Sequence, residues 1–76
     1  MTVTRDDIIN LIESAETMAD IENLRNDVPL TQQEVDSLDM ANVLLLLEEK
    51  YEIKIPDEDL KKVQSVDAIV DYIKAL

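Results

Sequence analysis

The 76-residue sequence contains no cysteine, no histidine and no glycine. Without cysteine there is no disulfide or thiolate chemistry, and without histidine the usual general base and the commonest metal ligand are missing. The glycine-dependent loops that bind nucleotide phosphates or calcium are excluded as well. Because glycine best tolerates a positive φ angle, we expect the turns to use asparagine, aspartate or proline. These absences exclude most kinds of catalysis, so we expect a protein that is not an enzyme.

Positive charge is also scarce, since 7 Lys and Arg residues face 18 Asp and Glu residues, for a net charge of −11. Nucleic acid binding requires a basic surface, and an anionic membrane would repel this chain. We therefore expect neither nucleic acid nor a membrane as partner. A basic protein surface is the natural counterpart, because opposite fields speed encounter. Solubility alone is the other use that such a charge could have.

Long hydrophobic runs are missing, and the longest aliphatic run is Val43–Leu47. That run is far too short to span a membrane. The first ten residues lack a basic stretch followed by an apolar one, so we expect no signal peptide and a cytoplasmic location. With 46% hydrophobic residues the chain has enough apolar side chains for a core. We expect one monomeric domain over residues 1–76.

The apolar residues that are present follow a helical period almost throughout. Thr4 is a candidate cap for a first helix, followed by acids in its first turn. The pattern continues or restarts toward Leu24 and ends before Pro29. Residues 28–35 are expected to form a loop, in which a weak capping box at Thr31 allows one helical turn. The predicted apolar stripe of this helix consists of Ile8, Leu11, Ile12, Ala15 and Met18.

The second helix is predicted to open at Asp36-Ser37 and to run to about Tyr51. Its apolar set is wider than one buried stripe requires, so some members must be exposed or buried on two sides. Residues 52–56 are expected to be an extended loop with inward isoleucines, followed at Pro56 by a short helix with Leu60 and Val63 inward. A last helix capped by Ser65 should bury Val66, Ile69, Val70, Ile73 and Leu76. We thus predict an all-α fold, a small four-helix bundle with three longer helices and one short helix before the last.

Ser37 is one candidate site for chemistry. A serine at a helix N-terminus lies beside unpaired backbone N–H groups, where an attached phosphate is favourably placed. The flanking Asp36 and Asp39 could hold a divalent metal during phosphoryl transfer or present charge to a basic enzyme. The alternative is that Asp36 or Ser37 only caps the helix. Paired carboxylates elsewhere, such as Asp57/Asp59 and Glu48/Glu49, do not match the calcium-loop spacing and are more simply explained as solvated surface.

Four segments in order resemble the acyl carrier protein family. They are DSLD at 36–39, LEEKY at 47–51, IKIPDED at 53–59 and VDAIVDYI at 66–73. The resemblance covers about residues 36–73, while the first helix agrees in position and pattern only. It implies the same four-helix bundle, with Ser37 as the attachment site of 4′-phosphopantetheine. A phosphopantetheinyl transferase would supply that arm from coenzyme A, and its thiol would carry acyl groups as thioesters.

The resemblance also implies partners, namely acyl-transferring or condensing enzymes with basic docking surfaces. On this chain the acidic contacts would be made by four carboxylates, and Leu38 and Met40 would be exposed apolar contacts. The residues expected to line an interior that shelters an acyl chain are Val43–Leu47, Ile55, Val63 and Ile69. The four carboxylates expected at the docking surface are Asp36, Asp39, Glu48 and Glu49.

Two departures from the fatty acid carriers bear on the pathway. Those carriers usually have a glycine shortly before the DSL motif, where this chain has Glu34-Val35, and a glutamate at the position of Asn42. Both departures favour a specialised carrier for a polyketide, a surface lipid, or an amino acid or hydroxy acid thioester. An ordinary fatty acid carrier stays open. A second hypothesis is an acidic helical interaction module without a prosthetic group.

Overall fold

Each α-helix begins directly after a polar capping residue, at Thr4 and Ser65 as predicted and, for α2, at Asp36 of the two candidates Asp36 and Ser37. The hydroxyl of Thr4 accepts from the amide of Asp7 while the Asp7 carboxylate accepts from the amide of Thr4, which completes a capping box. Asp36 and Ser65 each accept from the amide three residues on. These bonds satisfy donors that would otherwise be unpaired at the first turn. The predicted helix starts are therefore confirmed.

The computed structural model describes residues 2–76, so Met1, the first residue of the expected domain, lies outside the described residues. The α-helices are α1 (Arg5–Ser14), α2 (Ser37–Tyr51) and α3 (Val66–Lys74). Three 3₁₀-helices connect them, at Ile21–Asn23, Leu30–Gln32 and Asp57–Lys62. No strand forms within residues 2–76. The prediction of a small helical bundle with a short helix before the last is confirmed, and that short helix is 3₁₀.

The core lies where α1 meets α2 and α3, and every α-helix contributes one face to it. The loops complete it with Leu30, Val35, Ile55 and Val63, which lie at 0 to 7% exposure. No helix within residues 2–76 has the length and apolar character needed to cross a membrane. The core residues from the helices are Ile8, Leu11 and Ile12 of α1, Met40, Val43 and Leu47 of α2, and Val66, Ile69, Val70 and Ile73 of α3.

Outside α2, three residues predicted to face inward are exposed instead. Met18 is 79% exposed because α1 ends at Ser14, so Met18 lies beyond the helix and outside its stripe. Leu76 is 58% exposed because α3 ends at Lys74, before the next turn of its apolar face. Leu60 is 38% exposed on the tighter 3₁₀-helix, where side chains repeat every three residues instead of 3.6. The inward prediction was wrong at these three positions.

The positive-φ positions are occupied by glutamate, and the expectation that turns would use asparagine, aspartate or proline was wrong there. Glu16, Glu34 and Glu52 have φ angles of 56°, 69° and 53°. Each of these side chains is exposed, so its carboxylate stays in water. A left-handed residue other than glycine costs roughly 1–2 kcal/mol. The chain carries that cost at three turns, one of which, at Glu52, ends α2.

Candidate functional site

Ser37 is the first residue of α2, and its side chain is exposed. The carboxylate of Asp36 accepts from the amide of Asp39 at 2.8 Å and thereby takes the capping role. Within residues 2–76 the Ser37 hydroxyl makes no hydrogen bond to another protein group. Of the two capping alternatives, Asp36 is the cap, and the Ser37 hydroxyl is left accessible beside the positive end of a 15-residue helix.

The charged groups around Ser37 do not form a metal centre by themselves. In the part of the chain that the structure describes, no three potential metal-ligating side chains come together. Asp36 and Asp39 flank the serine in sequence, but the first is occupied as a cap. The site therefore offers an accessible hydroxyl with adjacent negative charge and no hydrogen-bond partner within the described residues.

A groove of about 850 Å³ opens beside Ser37, between α2 and the 3₁₀-helix Asp57–Lys62. We call it the Ser37 groove. Its lining is mostly apolar, with the carboxylate of Glu48 and the side chain of Lys54 among the few charged groups. A group attached to Ser37 would therefore have an apolar surface within immediate reach. The residues that define the Ser37 groove are Ser37, Met40, Leu44, Leu45, Ile55 and Leu60.

The residues expected to line an acyl-sheltering interior divide into two groups. Val43, Leu47, Val63 and Ile69 are completely buried in the core, Leu46 is half-buried, and none of these five lines the Ser37 groove. Leu44, Leu45 and Ile55 do line it. Leu45 is 52% exposed, so its expected interior position was wrong. The Ser37 groove thus lies on the surface above the core. Ile55 is one of the side chains that both line the groove and belong to the core.

The two apolar docking candidates also differ in position. Leu38 is 77% exposed directly after the serine, as expected. Met40 is only 7% exposed, so its expected exposure was wrong. The spacing of Met40, Val43 and Leu47, at three and four residues, places them on one helix face, and that face turns to the core. What remains accessible of Met40 faces the Ser37 groove.

The four acidic docking candidates are not equivalent. Asp36 and Glu49 are exposed, whereas Asp39 and Glu48 are half-buried. The Oε2 atom of Glu48 accepts a hydrogen bond of 2.7 Å from the amide of Ile55. The Glu48 carboxylate is thus committed to an internal contact that its acidic surroundings in the sequence gave no reason to expect.

A second contact that sequence reasoning missed supports the opposite wall of the Ser37 groove. The hydroxyl of Tyr72 on α3 donates to Oδ2 of Asp59 at 2.7 Å, and Nζ of Lys62 lies 3.1 Å from Oδ1 of the same residue. These partners, the Tyr72 hydrogen bond foremost, hold the pKa of Asp59 below its ordinary value. The same hydrogen bond, together with burial, raises the pKa of Tyr72.

Comparison with known proteins adds evidence independent of this geometry. The family model described as "Phosphopantetheine attachment site" matches residues 6–73, which span all three α-helices and both walls of the Ser37 groove. A curated relative, the acyl carrier protein of Clostridium acetobutylicum, is 50% identical over 40 residues. That alignment covers 53% of this chain and 52% of the relative, so the chain matches about half the length of that protein.

Proposed function

Because the chain belongs to the acyl carrier protein family, whose members bear a phosphopantetheine attachment site, we propose that Ser37 carries 4′-phosphopantetheine. The terminal thiol of that arm carries acyl groups as thioesters. The protein is then a carrier and not an enzyme, and the sulfur that its own sequence lacks comes from the arm. Residues 1–76 form one such carrier domain, monomeric and cytoplasmic.

The observation that carries this proposal is the accessible hydroxyl of Ser37 at the mouth of an apolar groove. Asp36 caps α2, so the serine is not needed for the helix. The exposed side chain leaves room for a second protein to approach it. The other serines, by contrast, make internal bonds: Ser65 caps α3, and the Ser14 hydroxyl donates to the carbonyl of Leu11.

The transfer chemistry assigns the base to the transferase. The Ser37 Oγ atom attacks the coenzyme A phosphorus that bears pantetheine, and the bond from that phosphorus to the bridging oxygen breaks. Adenosine 3′,5′-bisphosphate leaves with that oxygen, and the hydroxyl proton passes to a base. This chain has no histidine, and no group within residues 2–76 hydrogen-bonds to the Ser37 hydroxyl, which supports a base supplied by the phosphopantetheinyl transferase.

The Ser37 groove is the surface on which the arm and its acyl group rest between reactions. Leu44, Leu45 and Leu60 offer apolar area beside the attachment point. Covering them with an acyl chain removes apolar surface from water, which favours the bound position. The tether confines the cargo near the groove, so even a weak contact is populated.

Partner enzymes that transfer or condense acyl groups dock around Ser37 through basic surfaces. The net charge of −11 supports long-range attraction to such surfaces. Asp36, Leu38 and Glu49 are the best placed of the candidates because their side chains are exposed. Asp39 and Glu48 lie on the same helix and contribute from half-buried positions, whereas buried Met40 offers only the surface that faces the Ser37 groove.

The pathway is a specialised one, for a polyketide, a surface lipid, or an amino acid or hydroxy acid. The support lies in Glu34 and Asn42, where the fatty acid carriers usually have glycine and glutamate. Glu34 has a positive φ angle of 69°, a conformation that glycine would adopt without strain. A partner that meets this surface finds a carboxylate before the serine and an uncharged amide one turn into α2.

The test is intact mass after incubation with coenzyme A, magnesium and a broad-range phosphopantetheinyl transferase. We expect one phosphopantetheinyl group on the wild type, none on Ser37→Ala, and one on the matched control Ser14→Ala. Added mass that survives Ser37→Ala would move the attachment site elsewhere. No added mass on the folded wild type would favour the interaction module without a prosthetic group.

A further inference from the structure

Glu48 connects the end of α2 to the segment that follows it at two levels. Its backbone carbonyl accepts from the amides of Glu52 and Ile53, the latter at 3.1 Å. Its side chain reaches further and accepts from the amide of Ile55 at 2.7 Å. The chain reverses at Glu52, where φ is 53°, and returns past the side chain of Glu48. The backbone amide of Ile55 is therefore held by one half-buried carboxylate.

Ile55 occupies the boundary between the Ser37 groove and the core. It lines the groove, yet it is only 7% exposed and belongs to the buried cluster. Met40 is the other core residue that lines the groove. Val63 and Ile69, which are completely buried, belong to the same cluster. Displacing Ile55 would therefore open the floor of the groove toward the interior.

The two boundary residues are held in different ways. Met40 is part of α2, so its backbone is fixed by the hydrogen bonds of the helix. Ile55 lies in the non-helical residues between Glu52 and the 3₁₀-helix that starts at Asp57. A hydrogen bond to a charged carboxylate is stronger than one between neutral groups. Met40 could move only with α2, whereas Ile55 could move once the hydrogen bond between its amide and the Glu48 side chain breaks.

From this geometry we infer that Glu48 is a positioning residue that controls access of the acyl chain to the interior. Its hydrogen bond to the Ile55 amide keeps the floor of the Ser37 groove closed. When that bond breaks, an acyl chain too long for the groove alone can pass beneath Ile55 into the core. The inference rests on the proposed attachment at Ser37. It gives Glu48 a role distinct from that of its exposed neighbour Glu49, whose carboxylate makes no hydrogen bond within the described chain.

Four variants separate the hydrogen bond from the charge. Glu48→Gln removes the charge and keeps an oxygen that accepts from Ile55, whereas Glu48→Ala removes both. Glu49→Gln and Glu49→Ala are the matched controls one residue away. The first measurement is amide hydrogen exchange of unmodified protein, which requires no cofactor. We expect about tenfold faster exchange at Ile55 in Glu48→Ala, a smaller increase in Glu48→Gln because its neutral oxygen accepts a weaker bond, and none in the Glu49 controls. Amides in the middle of α2 should be unchanged as evidence of an intact fold.

The second measurement is the rate at which hydroxylamine cleaves thioesters loaded on Ser37 by the transferase from acetyl or octanoyl coenzyme A. We expect the octanoyl thioester of Glu48→Ala to be cleaved about threefold more slowly than that of the wild type, because the sheltered state is more populated. The acetyl thioester should match the wild type, and the octanoyl thioester of Glu48→Gln should be cleaved at a rate between those of the wild type and Glu48→Ala. The positioning role alone would be overturned by unchanged exchange of the Ile55 amide in Glu48→Ala. It would also be overturned if the thioesters of Glu48→Gln and Glu48→Ala were cleaved at the same rate and that rate differed from the wild type. Failure to modify wild-type Ser37 would overturn the proposed function, and with it this control of access.

Discussion

The hydroxyl of Tyr72 donates a 2.7 Å hydrogen bond to the carboxylate of Asp59, thirteen residues earlier in the chain. The bond joins α3 to the 3₁₀-helix Asp57–Lys62, which forms one wall of the Ser37 groove. Lys62 approaches the second oxygen of the same carboxylate. The shape of the groove thus depends on a side-chain contact with a helix that does not itself line it.

Tyr72→Phe should lower the melting temperature by about 4 °C, because it removes the donor and leaves the half-buried Asp59 with one partner fewer. The measurement is thermal unfolding followed by circular dichroism at neutral pH.

Tyr51→Phe is the matched control for that substitution. The Tyr51 hydroxyl is buried and has no protein hydrogen-bond partner within residues 2–76. Removing it should leave the melting temperature unchanged or raise it, since no hydrogen bond is lost. Equal destabilisation by the two substitutions would mean that the packing contacts of the hydroxyl itself, and not the bond to Asp59, are what matters.

The contribution of the Tyr72–Asp59 bond should depend on pH at both extremes. The Tyr72 hydrogen bond, followed by Lys62, lowers the pKa of Asp59 from 3.8 in the folded protein. The stability that Asp59 contributes is therefore complete above pH 3.8 and is lost as the pH falls through the pKa of Asp59 in the folded protein. The bond to Asp59 raises the pKa of Tyr72 from 10.0 in the folded protein. The stability that Tyr72 contributes is therefore complete below pH 10.0 and is lost as the pH rises through the pKa of Tyr72 in the folded protein. The melting-temperature difference between wild type and Tyr72→Phe should be constant from about pH 5 to 9 and shrink outside that range. A constant difference into strong acid would contradict the role of Asp59.

Glycine at the left-handed positions should stabilise the fold. Glu34→Gly and Glu52→Gly each relieve the cost of a positive φ angle, partly offset by the greater freedom of glycine in the unfolded chain. The net gain should be about 0.5–1 kcal/mol per site, measured by urea unfolding. Glu49→Gly, inside α2, should instead destabilise by about 1 kcal/mol. A loss of stability in Glu34→Gly would show that its carboxylate makes a stabilising contribution larger than the strain.

Charge reversal near Ser37 should slow encounter with a basic enzyme. Glu49→Lys should reduce kcat/KM for modification by the phosphopantetheinyl transferase about threefold at low ionic strength and much less at high salt. Glu22→Lys makes the same change in net charge on the 3₁₀-helix Ile21–Asn23, outside α2. If both variants slow the reaction equally, the attraction is a property of net charge and not of the α2 surface.

The helix starts were predictable from the sequence because a cap acts over three residues. Thr4, Asp36 and Ser65 each bond to an amide three positions on, so the pattern and the contact lie in the same short segment. The helix ends were less predictable. Met18 and Leu76 continued an apolar period beyond the last helical turn, and period alone does not say where a helix stops.

The faces of α2 were the least predictable part of the candidate site. Its apolar set is so wide that several faces satisfy a hydrophobic stripe, and Met40 and Leu45 were assigned to the wrong environments for that reason. Which face is buried depends on where the other helices lie. Glu48 was likewise grouped with its exposed neighbour, because nothing in a run of acids distinguishes a carboxylate that bonds to Ile55.

The sequence by itself determined the missing chemistries, the acidic charge, the caps of α1 and α3 and the opening of α2 at Asp36-Ser37. Each of these follows from composition or from contacts within a few residues. Only the tertiary structure decided which leucines of α2 line the Ser37 groove, that Ile55 forms its boundary with the core, and that Glu48 and Tyr72 support its walls. Those outcomes depend on hydrogen bonds and packing between residues seven or more positions apart, whose meeting is set by how the whole chain buries its apolar surface.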